Sequence, residues 1–516
     1  MGWRRGVLSA GCAIGLLFQG LGGPAAGDPD RARDTVQTDR GPVRGLVGED
    51  VRTFQGIPYA APPVGALRWQ PPQPPERWRD PLDATMPRGI CPQEPRFGAP
   101  GSTNEDCLYL NVTAPRQAHG RLPVMVWVHG GGFTSGAGSF YNASKLAVEG
   151  GVLVVTINYR LGPVGFLALP ALDAEHPGVQ SGNAGIEDQQ AALRWVRRNA
   201  FAFGGDPGNV TVFGESAGSA SVCVHLVSPT ATGLFHKAIA ESFSCTSQLA
   251  TKQSAETSGA AFATKLGCTD IDCLRAKPVA DLLAAWPGGG PVVGGREIPL
   301  QPPDALRANR FHHVPVMLGN TRDEMRYFVS AQFDATGHPV TAQQYEAFIR
   351  GTYGANADRV LALYPLSAFP SPTIALSTVE TDFGTALSTC GHLASYRAFA
   401  AHVPVFAYQF ADRTAPPLLD VPNFDEGAEH ATELNFLWPR LFGAPLTAQQ
   451  EALSTIMVQY WTNFAHRGTP RAHDLPNWPR FHTDDDVLSL NIGPGNVHPV
   501  NPGIPSNCAF WESLNS

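Results

Sequence analysis

An α/β fold, with a large and mainly parallel central sheet covered by helices on both faces, is predicted by two recurring patterns in this sequence. Short apolar runs rich in β-branched residues occur at 124–128, 152–157, 210–213, 314–318 and 405–410, each of strand length and too short for a helix. Helical patterns lie between them. Leu193, Val196, Ala200 and Phe203 are spaced by three, four and three residues, with Arg194, Arg197 and Arg198 on the opposite side, which makes an amphipathic helix. Strands alternating with helices imply a parallel sheet buried on both faces.

The elements follow in chain order. Arg4 and Arg5 precede an uncharged apolar stretch from 6 to 23, and small residues close it at 24–27. Basic head, apolar middle and small-residue end predict a secretory signal peptide at 1–27, removed on export, with 28–516 forming a single domain. Ala10-Gly-Cys12 is the competing lipid-attachment box, but Ser9 stands where that box needs an aliphatic residue. Past the leader no uninterrupted apolar run approaches the ~20 residues of a membrane span, so no transmembrane segment is expected. Pro71, Pro72, Pro74 and Pro75 follow too little chain to separate two cores and read as an extended surface loop.

Composition narrows the function. Charged residues make up 16% of the 516, below the ~25% usual in soluble proteins, and 54 Gly with 46 Pro indicate long loops. A formal net charge of −8 argues against a nucleic-acid partner, which calls for a clustered basic surface. No Gly-Lys pair occurs, and no Gly-x-Gly-x-x-Gly follows a strand, so a phosphate cradle is not supported. Beyond Cys12 there are eight cysteines, and an oxidising destination makes disulfides the expectation, although spacing leaves the connectivity open. Cys268 and Cys273 lack a second nearby Cys or His pair, so a zinc site is not expected.

The segment that carries chemistry is Thr211-Val-Phe-Gly-Glu-Ser-Ala-Gly218. A β-run enters Gly-x-Ser-x-Gly, and Ala217, Ala220, Val224 and Val227 then follow at helical spacing. Strand, tight turn and helix are what a nucleophile elbow requires, with Ser216 exposed at the helix N-terminus. The flanking glycines let strand and helix approach closely around a strained bend. Upstream, the run at 124–128 leads directly into His129-Gly-Gly-Gly-Phe133, where consecutive glycines can direct backbone N–H groups at a developing oxyanion.

A serine hydroxyl also needs a base and an acid, in the chain order Ser, acid, His. The run at 314–318 is followed by Gly319-Asn-Thr-Arg-Asp-Glu324, and chain order does not choose between Asp323 and Glu324. The base is likewise open among His338, His392, His402, His430, His466, His473, His482 and His498.

Several segments together resemble the type B carboxylesterase and cholinesterase family of α/β-hydrolases. They are Phe54-Gln-Gly-Ile-Pro-Tyr59, Glu105-Asp-Cys-Leu-Tyr-Leu-Asn-Val112, Asn158-Tyr-Arg-Leu-Gly162, Gly182-Asn183 through Asp188-Gln189 to Phe203-Gly-Gly-Asp-Pro207, and the elbow itself. The likeness spans nearly all of the mature chain and implies an α/β-hydrolase fold with helical insertions around the active site. It places the acid on Glu324, and the base on His430 within Gly427-Ala-Glu-His-Ala-Thr-Glu-Leu434, where Ala431 replaces the commoner Gly. It places the oxyanion donors on the N–H groups of Gly131, Gly132 and Ala217.

The family's disulfide pattern implies Cys91 with Cys107, Cys268 with Cys273 and Cys390 with Cys508, leaving Cys223 and Cys245 as buried free thiols. Arg68 and Glu105 resemble its structural ion pair, and Glu215 either supports the charged histidine electrostatically or holds a place where any polar residue would serve. Cholinesterases carry a Trp in the first disulfide loop. The loop 92–106 here has Phe97 as its only aromatic, which argues against a choline substrate.

The resulting expectation is a secreted serine carboxylesterase acting on small-molecule esters through an acyl-enzyme, with no metal or organic cofactor required. A lipase, polyester or amide hydrolase on the same triad is the alternative, decided by the excursions 246–303 and 332–387. A non-catalytic adhesion-type protein on the same fold is the rival from another class.

Overall fold

Seven parallel strands form the centre of the computed structural model, which describes residues 33–96, 98–118, 120–175 and 178–514. They are β1 Leu122–Val128, β2 Leu153–Ile157, β3 Gly205–Glu215, β4 Lys237–Glu241, β5 Val316–Thr321, β6 Val405–Phe410 and β7 Val487–Leu490. Across the sheet they run β2-β1-β3-β4-β5-β6-β7, each parallel to its neighbours. The expected leader at 1–27, with Cys12, and also Phe97 lie outside the described residues.

All five apolar runs are strands, and β4 and β7 are added to them. Beyond β2 the sheet continues antiparallel through Tyr109–Pro115, Val51–Pro58, Pro42–Val47 and Arg33–Gln37, and His498–Val500 closes the other edge. These flanking strands mix buried with half-exposed positions, so they leave no continuous apolar run to be read.

Alternation along each strand divides the core in two. Val124, Val126 and Val128 of β1 face one cluster, while Met125 and Trp127 face the other. The first cluster is covered by α1 Ala184–Asn199, α2 Ala217–Val227 and α3 Thr389–Ala400, the second by α4 Ala448–Arg467. The predicted amphipathic segment is α1, continued by a 3₁₀ turn at Ala200–Phe203 that keeps Phe203 in the core. Residues 252–307 and 326–382 supply helical excursions on either side of β5. Among the described residues no helix is long and apolar enough to cross a membrane.

Disulfides join Cys91 to Cys107, Cys268 to Cys273 and Cys390 to Cys508. The expectation of free thiols at Cys223 and Cys245 is corrected: the two are bonded to each other. Cys223 is two turns into α2 and Cys245 lies just past β4, with their Cα atoms 5.1 Å apart, inside the span a disulfide can bridge.

Candidate active site

Strands β1, β3, β4 and β5 deliver the residues that follow them to the carboxyl edge of the sheet, where parallel α/β sheets place their ligands. β3 ends at Glu215 and α2 begins at Ala217, so Ser216 makes the reversal alone. It does so at φ 56° and ψ −120°, a conformation that costs an L residue about 1–3 kcal/mol. The glycines on either side are sterically required. A Cβ at Gly218 would stand 2.0 Å from the Val128 carbonyl oxygen, and one at Gly214 would stand 2.6 Å from the same atom. The Ser216 N–H donates to the Glu241 carbonyl at 2.9 Å, tying the bend to the end of β4.

The glycine loop after β1 packs directly on this bend. A Cβ at Gly130 would lie 2.7 Å from Glu215 Oε2 and 3.2 Å from Ser216 Cβ. Gly131 and Gly132 both have positive φ, 99° and 62°. The Gly131 carbonyl accepts the N–H groups of Thr134 at 3.0 Å and Ser135 at 3.1 Å. Neither the Gly131 nor the Gly132 N–H donates to a partner among the described residues. Ala217 opens α2, so its N–H has no carbonyl one helical turn earlier to receive it. Buried His129 holds the loop from behind, stacking on Tyr159 at 4.4 Å while the Tyr159 hydroxyl donates to the His129 carbonyl at 2.8 Å. Burial pushes the His129 imidazole down to about 4, so it stays neutral.

Glu324 follows β5 by three residues and is fully buried. Its Oε1 accepts the Thr321 N–H at 2.8 Å, and its Oε2 lies 2.6 Å from His430 Nδ1. Of the pair that sequence left open, Glu324 is therefore the one that meets a histidine. The other imidazole nitrogen of His430 lies 3.0 Å from Glu215 Oε1, a contact without the alignment of a hydrogen bond. Ser216 Oγ and His430 form no direct hydrogen bond among the described residues, and it is Glu215, the chain neighbour of Ser216, that contacts His430 Nε2. Ala431 has φ 66°, which explains why Gly suits that position better.

Burial alone would push the His430 imidazole down, yet the carboxylates of Glu215 and Glu324 overcome it and hold the group well above its ordinary value. Burial would likewise raise Glu324, but the imidazole brings it below the usual carboxylate range. Glu215 goes the other way, since burial outweighs its attraction to His430. Both carboxylates thus favour the protonated form of the imidazole, Glu324 as its hydrogen-bonded partner and Glu215 as a second charge nearby.

Two residues near this pair carried no signal in the sequence. Glu241 ends β4, accepts the Trp461 indole N–H at 3.1 Å, and is pushed by burial up to about 8. Glu433 is fully buried with neither carboxyl oxygen hydrogen-bonded, and burial holds it well above its ordinary value. Burial thus favours the protonated form of both carboxyls, which limits the accumulation of negative charge around the site. Aromatic side chains border the site as well. Half-buried Phe328 lies 5.0 Å from the His430 ring, and Phe133, beside the glycine loop, packs edge-on to Phe166 at 5.0 Å.

Arg68 and Glu105 sit apart from this chemistry. Their paired bonds of 2.7 and 2.6 Å, with Arg68 Nη1 also donating to the carbonyls of Arg275 and Lys277, pin the first disulfide loop to a helical excursion.

Known proteins are similar to this chain over nearly its whole length. The sequence profile of the Carboxylesterase family matches residues 32–511. The para-nitrobenzyl esterase of Bacillus subtilis (strain 168) is 37% identical over 478 residues, covering 87% of this chain and 93% of that protein. The fumonisin B1 esterase of Sphingopyxis macrogoltabida is 34% identical, covering 93% of this chain and 91% of its own length. Among solved structures, a PNB esterase superposes with a TM-score of 0.78 at 35% identity, covering 94% of this chain and 100% of the other. With family profile, relatives and superposed structures in agreement, the chain belongs to the carboxylesterase family, carboxylic ester hydrolases on the α/β-hydrolase fold.

Proposed function

We propose that the protein is a secreted serine carboxylesterase in which Ser216, His430 and Glu324 form the catalytic triad. The observation that carries this reading is the Glu324 to His430 bond of 2.6 Å beside a serine held at an elbow. With Nδ1–H on the Glu324 carboxylate and Nε2 unprotonated, the neutral form of His430 takes the Ser216 proton at Nε2 as Ser216 Oγ attacks the ester carbonyl, and Glu324 orients the imidazole and stabilises the charged form that results. Nε2 must leave Glu215 to do so, a shift suited to a contact that is not an aligned hydrogen bond. The N–H groups of Gly131, Gly132 and Ala217 receive the oxyanion. His430 then protonates the departing alcohol, and water enters by the same route in reverse to release the acid from the acyl-enzyme.

Residues 1–27 act as the export signal and 28–516 as a single domain, a reading supported by the basic-apolar-small pattern and by four disulfides. The aromatic border of Phe133 and Phe328 favours small esters with an apolar flank. Labelling with an organophosphate tests the mechanism: one equivalent should attach at Ser216, and Ser216→Ala should take up none and lose roughly 10⁴-fold or more in kcat on p-nitrophenyl esters. Near-normal hydrolysis by that variant removes Ser216 from the nucleophile role. A panel of esters graded by acyl length then ranks the substrates.

A further inference from the structure

The turn after β5 carries two adjacent carboxylates, and the reaction proposed above uses only Glu324. Asp323 is bonded to the backbone of the loop that delivers His430. Its Oδ2 accepts the Ala428 N–H at 3.0 Å, and its own N–H donates to the Ala428 carbonyl at 2.9 Å. This closed pair grips the loop two residues ahead of His430.

The approach is as close as the chain permits. Gly427 has φ 61°, and a Cβ there would stand 2.5 Å from Asp323 Oδ2. Arg326 Nε and Arg413 Nε hold the same carboxylate at 3.3 and 3.1 Å, and both guanidinium groups reach Asp425 Oδ2, at 2.8 and 2.6 Å. Ala428 is fully buried and the Asp323 side chain only 13% exposed, so water is a poor substitute for the bond.

We infer that Asp323 is a positioning residue for ester hydrolysis: its carboxylate fixes the backbone at Gly427 and Ala428 so that His430 meets Glu324 and stays within reach of Ser216. The inference rests on the triad proposed above. One turn of chain thus holds the loop at two points, the backbone through Asp323 and the imidazole through Glu324. A displacement of the base by about 1 Å costs on the order of 10²-fold in rate.

The test compares Asp323→Ala, Asp323→Asn, Gly427→Ala and Ser216→Ala in the full-length protein, with thermal denaturation as the measure of folding. On a p-nitrophenyl ester, Asp323→Ala should lose roughly 10²-fold in kcat with KM within about threefold. The acid limb of its kcat/KM profile should move to lower pH, because a loosened Glu324 supports the charged imidazole less. The titrating groups that act on His430 or on Glu324, namely Glu215, Glu429, Glu433, His392, Tyr396 and Tyr408, are untouched by these variants. Asp323→Asn keeps an oxygen for the Ala428 N–H and should recover to within about tenfold of the parent. Gly427→Ala forces loop and carboxylate apart from the other side and should repeat the loss, which covers the case of an alanine variant that does not fold.

A folded Asp323→Ala or Gly427→Ala with kcat within about twofold of the parent overturns the inference. So does an asparagine variant as impaired as alanine with its acid limb unmoved. An active Ser216→Ala would instead overturn the triad reading beneath it, so the two failures are told apart.

Discussion

Ser216 sits in a bend fixed by backbone and by the absence of side chains, whereas His430 sits in a loop fixed by charge. The elbow depends on Gly214 and Gly218 lying against the Val128 carbonyl and on one main-chain bond to Glu241. The histidine loop depends on Glu324, Glu215 and, one residue earlier in the chain than Glu324, Asp323 with its two arginines. Steric positioning does not titrate. Ionic positioning does, so pH and salt act on the base while leaving the nucleophile in place.

The sharpest way to break the ionic half is Glu324→Gln, which keeps the shape but removes the charge that fixes the imidazole tautomer. It should lower kcat by about 10⁴-fold with little change in KM, measured by steady-state ester hydrolysis. The steric half breaks differently. Gly218→Ala places a methyl 2.0 Å from a backbone oxygen that cannot move aside, and should destabilise the fold by about 2–4 kcal/mol in urea titration.

A third experiment separates burial from catalysis. Glu241 is raised from an ordinary 4.5 to about 8, so the folded chain keeps a proton that the unfolded chain releases. Stability from this group is intact below about pH 4.5 and is lost as the pH climbs towards 8, by at most about 1.4 kcal/mol per pH unit. Glu241→Gln should therefore flatten the dependence of Tm on pH between 5 and 8. The smallest effect belongs to Glu215→Gln: removing a carboxylate that favours the charged imidazole should move the acid limb of kcat/KM about one unit lower.

The same contrast decided what the amino-acid sequence made legible. The elbow and the glycine loop are local, since each is a strand end followed at once by the residues that do the work. The base is not. His430 meets Glu324 across 106 residues of chain, and among eight later histidines the residues themselves gave no reason to prefer it. Only the resemblance to a family pointed there. Glu433 and Glu241 escaped notice because a buried carboxyl has no pattern until its surroundings are folded around it. The Cys223–Cys245 bond escaped because a family pattern of three pairs left two cysteines without an assignment, and their proximity arises only when α2 packs beside the end of β4. The flanking antiparallel strands were missed for want of apolar runs, as half-exposed edges tolerate mixed residues.

The four disulfides also set an order of maturation. Three close over short stretches, with partners 5, 16 and 22 residues apart, so each can join soon after its own segment has been made. Cys390 must wait for Cys508, 118 residues later. That bond closes last of the four, and a variant truncated ahead of Cys508 would betray itself by one unpaired thiol at Cys390.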